Sequence, residues 1–560
     1  MLQNKDIYEA IKALSIIDER VLEASLRQAE NLGIRLDSVL IERDLVSEKD
    51  MGLLIADLLA VPYVFLDNEK IDKEVLNVIP EKWAKKFFTI AFKKNKEIIN
   101  IASSQPDSEE INELLTKKFG EDKFKIFYSS EREIKQALFD YEKDKDKVFS
   151  QNIKQTIEEA SKMLNEVPII KLVDEIISFG NSSKVSDIHI EPLKDKIIVR
   201  FRIDGVLYDI TQLPSGIKDQ ILSRVKVMAG LRTDEHMAAQ DGKIVYSLGK
   251  NEDLDIRVSI LPTINGEKIV MRLLSQSARQ YTLSDLGIET EVLEKIKAAY
   301  NKPYGMILVT GPTGSGKTTT VYGVVKILNK REINITSIED PVEYEVGGIN
   351  QIQVNAKTNL TFADGLKSIV RQDPDVIFIG EIRDSETAQI AINAAMTGHL
   401  VLSTLHTNDA ATTFPRLAEM GLEAFLIASG TNIVVAQRLM RKICTVCKIS
   451  EDVDLDEVKK EVPEKYWKKV YPPAGGKKIT FYKGKGCPVC NYSGYKGRIG
   501  IFEALEMTDK VRASIMSGAN AQEIKEIAVS EGMITMFEDG LNKVKMGTST
   551  ISELLRVMKQ

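Results

Sequence analysis

The chain has 560 residues, enough for about three or four domains, and its hydrophobic content of 43% is ordinary for a globular protein. The formal net charge of −6 gives no general attraction to nucleic acid or to anionic membranes. No apolar run of about 18 residues predicts a membrane span, and the N-terminus lacks the pattern of a signal peptide. The four cysteines are too few for a disulfide framework, which favours a reducing, cytoplasmic compartment.

Residues 1–140 predict a small N-terminal α+β module, because helical and strand patterns alternate there. Ser47 is a candidate N-cap, since its hydroxyl precedes an apolar helical pattern that runs to about residue 60. The other predicted elements are helices at 19–31 and 108–119 and a strand at 98–102.

A charge-alternating stretch separates this module from the next domain. Residues 141–147 read YEKDKDK without an apolar stripe, and the polar character continues to residue 166. We therefore predict a linker at 141–166, with an exposed helix as the alternative.

A second α+β domain is predicted at 167–290, before the nucleotide-binding segment. A helical pattern begins near Val167, and Asp204-Gly205 is typical of a hairpin turn between two alternating strands. The remaining patterns predict strands at 188–190, 196–203, 205–210, 254–260 and 267–274 and a helix at 220–231.

The last domain, 291–560, alternates short apolar strands with helices, as a parallel sheet requires. It is predicted to contain a cysteine-rich insertion at 441–500 and amphipathic C-terminal helices at 507–560. The predicted strands lie at 306–309, 334–338, 349–354, 376–379 and 400–403.

Residues 311–318 read GPTGSGKT and fit the phosphate-binding pattern G-x-x-x-x-G-K-[ST] at every fixed position. The glycines let the backbone wrap around phosphate oxygens with its N–H groups pointing inward. Lys317 supplies a cation to the β- and γ-phosphates, and Thr318 supplies a hydroxyl that can bind Mg²⁺. A strand before the loop and a helix after it place the site at a helix N-terminus, which favours anions. The predicted ATP-binding residues are Gly311, Pro312, Thr313, Gly314, Ser315, Gly316, Lys317, Thr318 and Thr319.

Hydrolysis also needs an acid on the metal side and a group that orients water. Glu339 and Glu381 each follow an apolar strand directly, and strand C-termini of a doubly wound sheet face the ligand crevice. His406 is predicted at the same edge, after the strand at 400–403. We select these three as candidate catalytic residues; exposed acids at loop ends and a core histidine are the alternatives.

Arginines from another domain can stabilise the charge that spreads over the γ-phosphoryl oxygens. Arg200 and Arg202 lie on one face of the strand at 196–203, and Arg257 lies on a neighbouring strand. These three are candidates for a phosphate clamp that acts from the second domain. A solvated face of that sheet is the alternative.

All four cysteines fall into two C-x₂-C pairs, Cys444 with Cys447 and Cys487 with Cys490. This pattern is typical of a closed Cys₄ structural zinc site, in which no ligand position is open for catalysis. The spacer between the pairs is longer than in common zinc ribbons, so it must itself be folded or looped. Two redox pairs are the alternative.

Four motifs of the last domain resemble those of the secretion ATPase superfamily, in its branch of type IV pilus assembly and type II secretion ATPases. The phosphate loop is similar to the Walker A motif of this family, and the other three to its aspartate box, its atypical Walker B motif with Glu, and its histidine box. These three read SIEDPVEYE at 337–345, RQDPDVIFIGEIRD at 371–384 and TGHLVLSTLHTNDA at 397–410. The second domain and the tetracysteine segment are also similar, through VRFRIDGVL at 199–207 and GYKGRIGIFE at 494–503.

The resemblance implies an α/β fold, in which a RecA-like P-loop motor domain with a Cys₄ zinc insertion follows an N-terminal α+β module and a PAS-like α+β domain. It implies a homohexamer that hydrolyses ATP with Mg²⁺, which Thr318 and Glu381 would bind. It also implies that the clamp arginines reach the nucleotide, and it leaves open whether Glu339 or Glu381 activates water. The implied partner is a platform protein of the inner membrane, and the implied work is the addition of pilin subunits to a fibre.

Three other functions compete with pilus assembly. A type II secretion motor would use the same chemistry for a different client. A nucleic-acid motor is disfavoured by the near-neutral charge and the lack of a basic stripe. A non-catalytic scaffold is disfavoured by the intact Lys317, Thr318 and Glu381.

The N-terminal module departs from related modules that carry a cyclic di-GMP site. Those modules typically show R-L-G-x-x-L followed by a second copy. Residues 32–37 read LGIRLD, a rearranged form of that pattern, and no second copy follows. We therefore predict a similar fold without a cyclic di-GMP site.

Overall fold

The structure is a computed structural model that describes residues 2–138, 167–274 and 282–559. Smaller gaps within these ranges lie at 15, 33–34, 44, 67–68, 70, 96–97, 250–252, 455–457, 459–461, 464–465 and 467–477. The predicted linker at 141–166 lies outside the described residues. Among the residues that are described, no helix combines the length and the apolarity needed to cross a membrane.

The N-terminal segment contains two hydrophobic cores, which the alternation of patterns in the sequence did not separate. The first core is helical and includes Ile11, Leu40 and Ile55. The predicted N-cap is confirmed, because the hydroxyl of Ser47 accepts a hydrogen bond of 3.1 Å from the backbone N–H of Asp50. The helices of this first part are Asn4–Leu14, Glu19–Leu32, Leu36–Glu42 and Glu48–Leu58.

The second core lies between a three-stranded sheet and its helices. The strands follow the order β1-β2-β3, with β1 antiparallel and β3 parallel to β2. The strand and the helix predicted at 98–102 and 108–119 are both present. The elements are β1 (Thr89–Asn95), β2 (Ile98–Ser103) and β3 (Phe124–Tyr128), with helices Lys73–Leu76, Glu81–Phe87 and Glu109–Phe119.

The next domain is a six-stranded antiparallel sheet with two helices, in the order β6-β5-β4-β9-β8-β7. All five strands predicted for this domain are present, but β7 was not predicted. That strand lies at the sheet edge with mostly exposed side chains, so its sequence, QDGKIVYS, has little apolar alternation. The elements are helices Val167–Ser182 and Lys218–Met228, with β4 (Asp187–Pro192), β5 (Lys196–Ile203), β6 (Val206–Pro214), β7 (Gln240–Ser247), β8 (Asp253–Thr263) and β9 (Gly266–Leu274).

The last domain is built on a seven-stranded sheet in the order β12-β11-β13-β14-β10-β15-β18. Six strands are parallel, and β18 pairs with β15 in the antiparallel sense. All five predicted strands of this domain are present. The strands are β10 (Gly305–Thr310), β11 (Ile335–Glu339), β12 (Asn350–Gln353), β13 (Val376–Ile379), β14 (Leu400–Leu405), β15 (Thr431–Ile443) and β18 (Tyr495–Glu506), and the helices are Thr290–Tyr300, Lys317–Leu328, Phe362–Ile369, Ser385–Met396, Thr413–Glu419 and Ala424–Gly430.

The cysteine-rich segment leaves and re-enters this sheet through β15 and β18, neither of which was predicted as a strand. The ladder between them joins Ile433 to Glu506 at one end and Ile443 to Tyr495 at the other. Between them lies a two-stranded hairpin of β16 and β17, and four helices follow β18, as the amphipathic pattern predicted. These elements are β16 (Lys448–Asp454), β17 (Lys478–Gly484) and helices Asp509–Met516, Ala521–Ser530, Met536–Lys545 and Ile551–Met558.

The N-terminal segment contacts the cysteine-rich segment directly. Arg132 Nε donates a hydrogen bond of 2.6 Å to the carbonyl oxygen of Val446. Lys448 lies 3.4 Å from the carboxylate of Glu42, and burial raises the pKa of that carboxylate. The amide of Gln28 also donates to the hydroxyl of Tyr482 at 2.7 Å. The first and last parts of the chain are therefore in contact, although a long stretch of sequence separates them.

Candidate functional site

The phosphate loop joins the end of β10 to the helix Lys317–Leu328. Gly311 has φ 146°, and a Cβ added there would lie 2.4 Å from the carbonyl oxygen of Gln437. Gly316, which precedes the helix directly, has φ 88°. Both positions need glycine, because a side chain would be strained at the positive φ and would collide at Gly311 with a neighbouring strand.

The side chains of the loop divide between its interior and its rim. Ser315 and Lys317 are buried, whereas Thr313 and Gly314 are exposed. Thr318 and Thr319 lie in the first turn of the helix and are half-buried, and Pro312 is half-buried as well. The predicted nucleotide-binding residues are therefore contiguous in space as well as in sequence.

Lys317 is only 8% exposed, and its ammonium turns back onto its own loop. Nζ donates hydrogen bonds of 2.8 Å to the carbonyl oxygen of Gly311 and 3.1 Å to that of Pro312. Burial lowers the pKa of Lys317 to about 8, and the negative charge of Glu381 opposes this shift. A phosphate group would stabilise this ammonium better than two neutral carbonyl groups do, because it carries a full negative charge.

Glu381 and His406 meet at the carboxyl edge of the sheet, beyond the adjacent parallel strands β13 and β14. His406 Nε2 lies 3.1 Å from Glu381 Oε2, and Arg383 Nη2 donates to the other oxygen of that carboxylate. Arg383 Nη1 also lies 3.5 Å from the carboxylate of Asp340. The structure thus places an acid, a histidine and an arginine together where the carboxylate also acts on the charge of Lys317.

Glu339 ends β11 in a different environment. It is 2% exposed, and it accepts hydrogen bonds from the hydroxyls of Tyr322 at 2.7 Å and Ser337 at 2.8 Å. The amide of Gln351 lies 3.4 Å away, and the ring of Tyr344 stacks on that of Tyr322 at 4.5 Å. Burial raises the pKa of Glu339, although these donors favour its ionised form.

The three clamp candidates differ in what they contact. Arg257 crosses from the second domain to the segment after Glu339, where Nη2 donates 2.8 Å to the carbonyl of Val342 and lies 3.1 Å from Glu343. Arg200 lies 2.7 Å from Glu191, within its own sheet. Arg202 likewise lies 3.4 Å from Asp187, to which Arg272 Nε also donates at 2.9 Å. In this structure Arg257 is therefore the candidate that touches the motor domain beside the site. 

Two residues at the site were not selected from the sequence. Arg383, which bonds to Glu381, lies in the quoted Walker B motif and was not given a role there. Gln437 contacts the phosphate loop from β15. The signal for Gln437 is a single amide within the apolar run IVVAQRL at 433–439, because a buried polar side chain needs hydrogen-bond partners.

The four cysteines form one cluster, in which all Sγ atoms lie within 4.8 Å of one another. Cys444 and Cys487 approach to 3.8 Å, Cys447 and Cys490 to 3.8 Å, and Cys487 and Cys490 to 3.7 Å. All four are free thiols in the structure.

These distances fit a tetrahedral zinc ion. Four sulfurs at the usual Zn–S distance of about 2.3 Å stand about 3.8 Å apart along each tetrahedral edge. Backbone N–H groups also point at the sulfurs, from Gly486 to Cys447 at 3.3 Å and from Gly494 to Cys490 at 3.3 Å. Such donors stabilise thiolates, which are the form that binds metal. The donor set therefore suits a structural zinc ion.

The sequence profile described as "Type II/IV secretion system protein" matches residues 162–556, well over half of the chain. The chain belongs to this family. It is a secretion ATPase.

Curated relatives of the family cover both of its branches. The type IV pilus assembly ATPase PilB of Myxococcus xanthus is 36% identical over 555 residues, which are 97% of this chain and 96% of that protein. The type II secretion system ATPase E of Vibrio cholerae is 40% identical over 438 residues, which are 78% of this chain and 84% of that protein. The chain is thus an ATP-hydrolysing enzyme of the motor class found in secretion systems.

Two further likenesses concern the fold. The X-ray structure of the Yersinia pseudotuberculosis ATPase DotB aligns with a TM-score of 0.52 at 19% identity, over 70% of this chain and 93% of that one. At that identity the likeness shows only that the two share an α/β fold. The profile described as "MshEN domain" matches residues 59–147, in the N-terminal segment.

Proposed function

We propose that this secretion ATPase is a homohexamer that hydrolyses ATP to drive pilin polymerisation into a type IV pilus, at a platform protein of the inner membrane. The observation that carries the proposal is the meeting of Glu381 and His406 beside Lys317 at the carboxyl edge of the sheet. The near-complete match in length to the Myxococcus xanthus PilB supports pilus assembly as the client. The site would serve the hydrolysis, and the domain in front of it would pass on the resulting movement.

Within the site, Lys317 is proposed to bind the β- and γ-phosphates, and residues 311–319 to wrap them with backbone N–H groups. Thr318 and Glu381 would hold Mg²⁺, which supplies charge neutralisation at the phosphates. His406 would hold or pass a proton at Glu381 Oε2, and the hydrogen-bond distance from its Nε2 supports this role. Glu339 and Glu381 are proposed to share the metal-side and water-side roles.

Arg200, Arg202 and Arg257 are proposed to clamp phosphate charge from the second domain. Arg257 already bonds to the segment after Glu339. A movement of that segment would therefore be transmitted through Arg257 to the sheet of the second domain. Arg200 and Arg202 would exchange their present carboxylate partners for phosphate in the assembled ring. The second domain is proposed to have a PAS-like fold and the last domain a RecA-like one.

The domain division is proposed as 1–140, the linker 141–166, 167–290 and 291–560, with the tetracysteine module at 441–500 and the C-terminal helices at 507–560. The protein is proposed to act in the cytoplasm, bound to the inner membrane through its partners. We propose no binding of nucleic acid and no cyclic di-GMP site.

The tetracysteine cluster is proposed to hold one structural Zn²⁺ through Cys444, Cys447, Cys487 and Cys490. Metal analysis of the purified protein should find about one zinc per chain, and chelation should lower the unfolding temperature. Protein that is free of zinc and contains two disulfides would contradict the metal site.

A deletion in the producing organism tests the client of the motor. Loss of surface pili with normal export of secreted proteins is expected, and the wild-type gene, but not the Lys317→Ala gene, should restore the pili. Loss of protein secretion with normal pili would favour a type II secretion motor. The 40% identity to the Vibrio cholerae ATPase E supports this second candidate. ATP hydrolysis that DNA stimulates in a salt-dependent manner would favour a nucleic-acid motor.

A further inference from the structure

The side-chain amide of Gln437 forms hydrogen bonds with the phosphate loop and with the helix that follows it. It lies on β15, is 2% exposed, and donates a hydrogen bond of 2.7 Å from Nε2 to the carbonyl oxygen of Ser315. Its Oε1 accepts a hydrogen bond of 2.6 Å from the hydroxyl of Thr320, in the first turns of the following helix. One buried amide therefore joins the middle of the loop to the helix that the loop begins.

The backbone of the same residue meets the start of the loop. The register of β10 on β15 places Thr310 opposite Ala436, so Gln437 lies beside Gly311. A Cβ at Gly311 would stand 2.4 Å from the Gln437 carbonyl oxygen, and one at Gly316 would stand 3.0 Å from its Nε2. Gln437 thus contacts the loop at its beginning, its middle and its end.

β15 itself is held from its other side. Successive side chains of a strand point to opposite faces, so Arg438 points away from Gln437. Arg438 Nη1 donates to the carbonyl oxygen of Val557, on the C-terminal helix Ile551–Met558. Gln437 is therefore presented to the loop by a strand whose position the rest of the domain fixes.

A phosphate loop needs this kind of support, because its glycines make many backbone conformations accessible and only one directs the N–H groups inward. We propose that Gln437 is a positioning residue that holds residues 311–316 in the form that binds phosphate. The inference rests on the proposed nucleotide site at Lys317. The Gln437 side chain acts on ATP through the loop, because its amide is already occupied by Ser315 and Thr320.

Two substitutions at Gln437 test this role in the full-length protein. Gln437→Leu removes both hydrogen bonds, and Gln437→Glu keeps the acceptor but turns the donor toward a carbonyl into a second acceptor. Both variants should raise the Kd and KM for ATP about tenfold, the effect of losing one or two buried hydrogen bonds, while kcat at saturating ATP falls less than about threefold. Fluorescent nucleotide titration and steady-state hydrolysis measure the two effects.

Substitution of the partner provides a second route if a Gln437 variant fails to fold. Thr320→Val removes the hydroxyl that donates to Gln437 Oε1, whereas Thr320→Ser keeps a hydroxyl at that position. Thr320→Val should weaken ATP binding about threefold, and Thr320→Ser should bind as the wild type does. Equal ATP affinity in these two variants would overturn the inference.

Thr431→Val is a matched control on the same strand. Thr431 is fully buried, and its hydroxyl has no hydrogen-bond partner in the part of the chain that the structure describes. This variant should keep the wild-type Kd for ATP. If it weakened ATP binding as much as Gln437→Leu does, the effect would come from the strand in general and the inference would fail.

Lys317→Ala separates this inference from the proposed nucleotide site. If Lys317→Ala binds ATP normally, the site itself is wrong. If Lys317→Ala loses ATP binding while both Gln437 variants bind ATP like the wild type, the site stands and the positioning role of Gln437 is overturned. A fall in kcat with unchanged KM in the Gln437 variants would also contradict the role.

Discussion

Two glutamates follow neighbouring parallel strands of the motor sheet, and their surroundings differ in kind. Glu381 is bound by Arg383 and His406, and its charge acts on Lys317. Glu339 is buried among the neutral donors of Tyr322, Ser337 and Gln351. The first acid therefore contacts a guanidinium and an imidazole, whereas the second is held by hydroxyl and amide donors.

This difference indicates different tasks for Glu381 and Glu339, although both follow an apolar run in the sequence. An acid that is hydrogen-bonded to a histidine can exchange a proton with it during a reaction cycle. An acid surrounded by neutral donors orders the segment that follows it, and here that segment receives Arg257 from the second domain. We infer that Glu381 is the more sensitive of the two to loss of charge.

The largest expected effect is the loss of ATP binding when Lys317 is replaced. Lys317→Ala should weaken ATP binding at least about 100-fold, because a charge-assisted contact to phosphate is lost. Calorimetric titration with ATP measures this loss. Lys330→Ala is a suitable control, since Lys330 is an exposed lysine just beyond the end of the same helix and should bind ATP normally.

The comparison of the two acids is tested directly by matched amide substitutions. Glu381→Gln should keep ATP binding and lower kcat by about 10²- to 10³-fold, as expected when a proton-transferring or metal-binding carboxylate is lost. Glu339→Gln should lower kcat less than about tenfold, because the amide oxygen still accepts from Ser337 and the amide NH2 can donate to the hydroxyl of Tyr322. Single-turnover hydrolysis measures both variants. The opposite ranking would make Glu339 the principal acid.

The lowered pKa of Lys317 predicts that ATP affinity depends on pH. Free protein loses the Lys317 proton above about pH 8, whereas bound phosphate restores it, so the complex holds more protons than the free protein does. The Kd for ATP should therefore rise with pH above about 8, by at most about tenfold per pH unit. The dependence of the Kd on pH should disappear in the Lys317→Arg variant, because a guanidinium stays charged in this pH range. A flat profile in the wild type would contradict the buried ammonium.

The smallest expected effect concerns the stability of the motor domain around Glu339. Burial raises the pKa of this carboxyl in the folded protein. At a pH above the ordinary pKa range of a glutamate, the folded state therefore binds more protons than the unfolded state does. Its contribution to stability is therefore lost as pH rises through the folded pKa. Relative to the wild type, Glu339→Gln should therefore gain thermal stability as the pH rises above the ordinary range of a glutamate. A constant difference in unfolding temperature would show that Glu339 is not strained by burial.

The sequence predicted the carboxyl edge of the sheet well, and for a physical reason. The short apolar strands β11, β13 and β14 end at or just before Glu339, Glu381 and His406, and they are recognisable because they are buried on both faces. β15 and β18 were not predicted because they combine apolar residues with Gln437, Arg438 and Glu503, which are buried and form hydrogen bonds with residues distant in sequence.

Residue partners were harder to predict than residue positions. The acids after β11 and β13 have the same local sequence signal, and only the fold shows that Tyr322 reaches one and Arg383 the other. Arg200 and Arg202 could be placed on one strand face, but the carboxylates opposite them lie on β4. Pairing of this kind depends on the register of the sheet, which no local pattern contains.

The contact between the N-terminal segment and the tetracysteine segment has a consequence for limited proteolysis. Arg132 bonds to Val446, Gln28 to Tyr482 and Lys448 to Glu42, so contacts between described residues join the N-terminal segment to the tetracysteine segment. We expect that a protein cut once between residues 138 and 167 would migrate as one species on a native gel and separate into two fragments only in denaturing detergent.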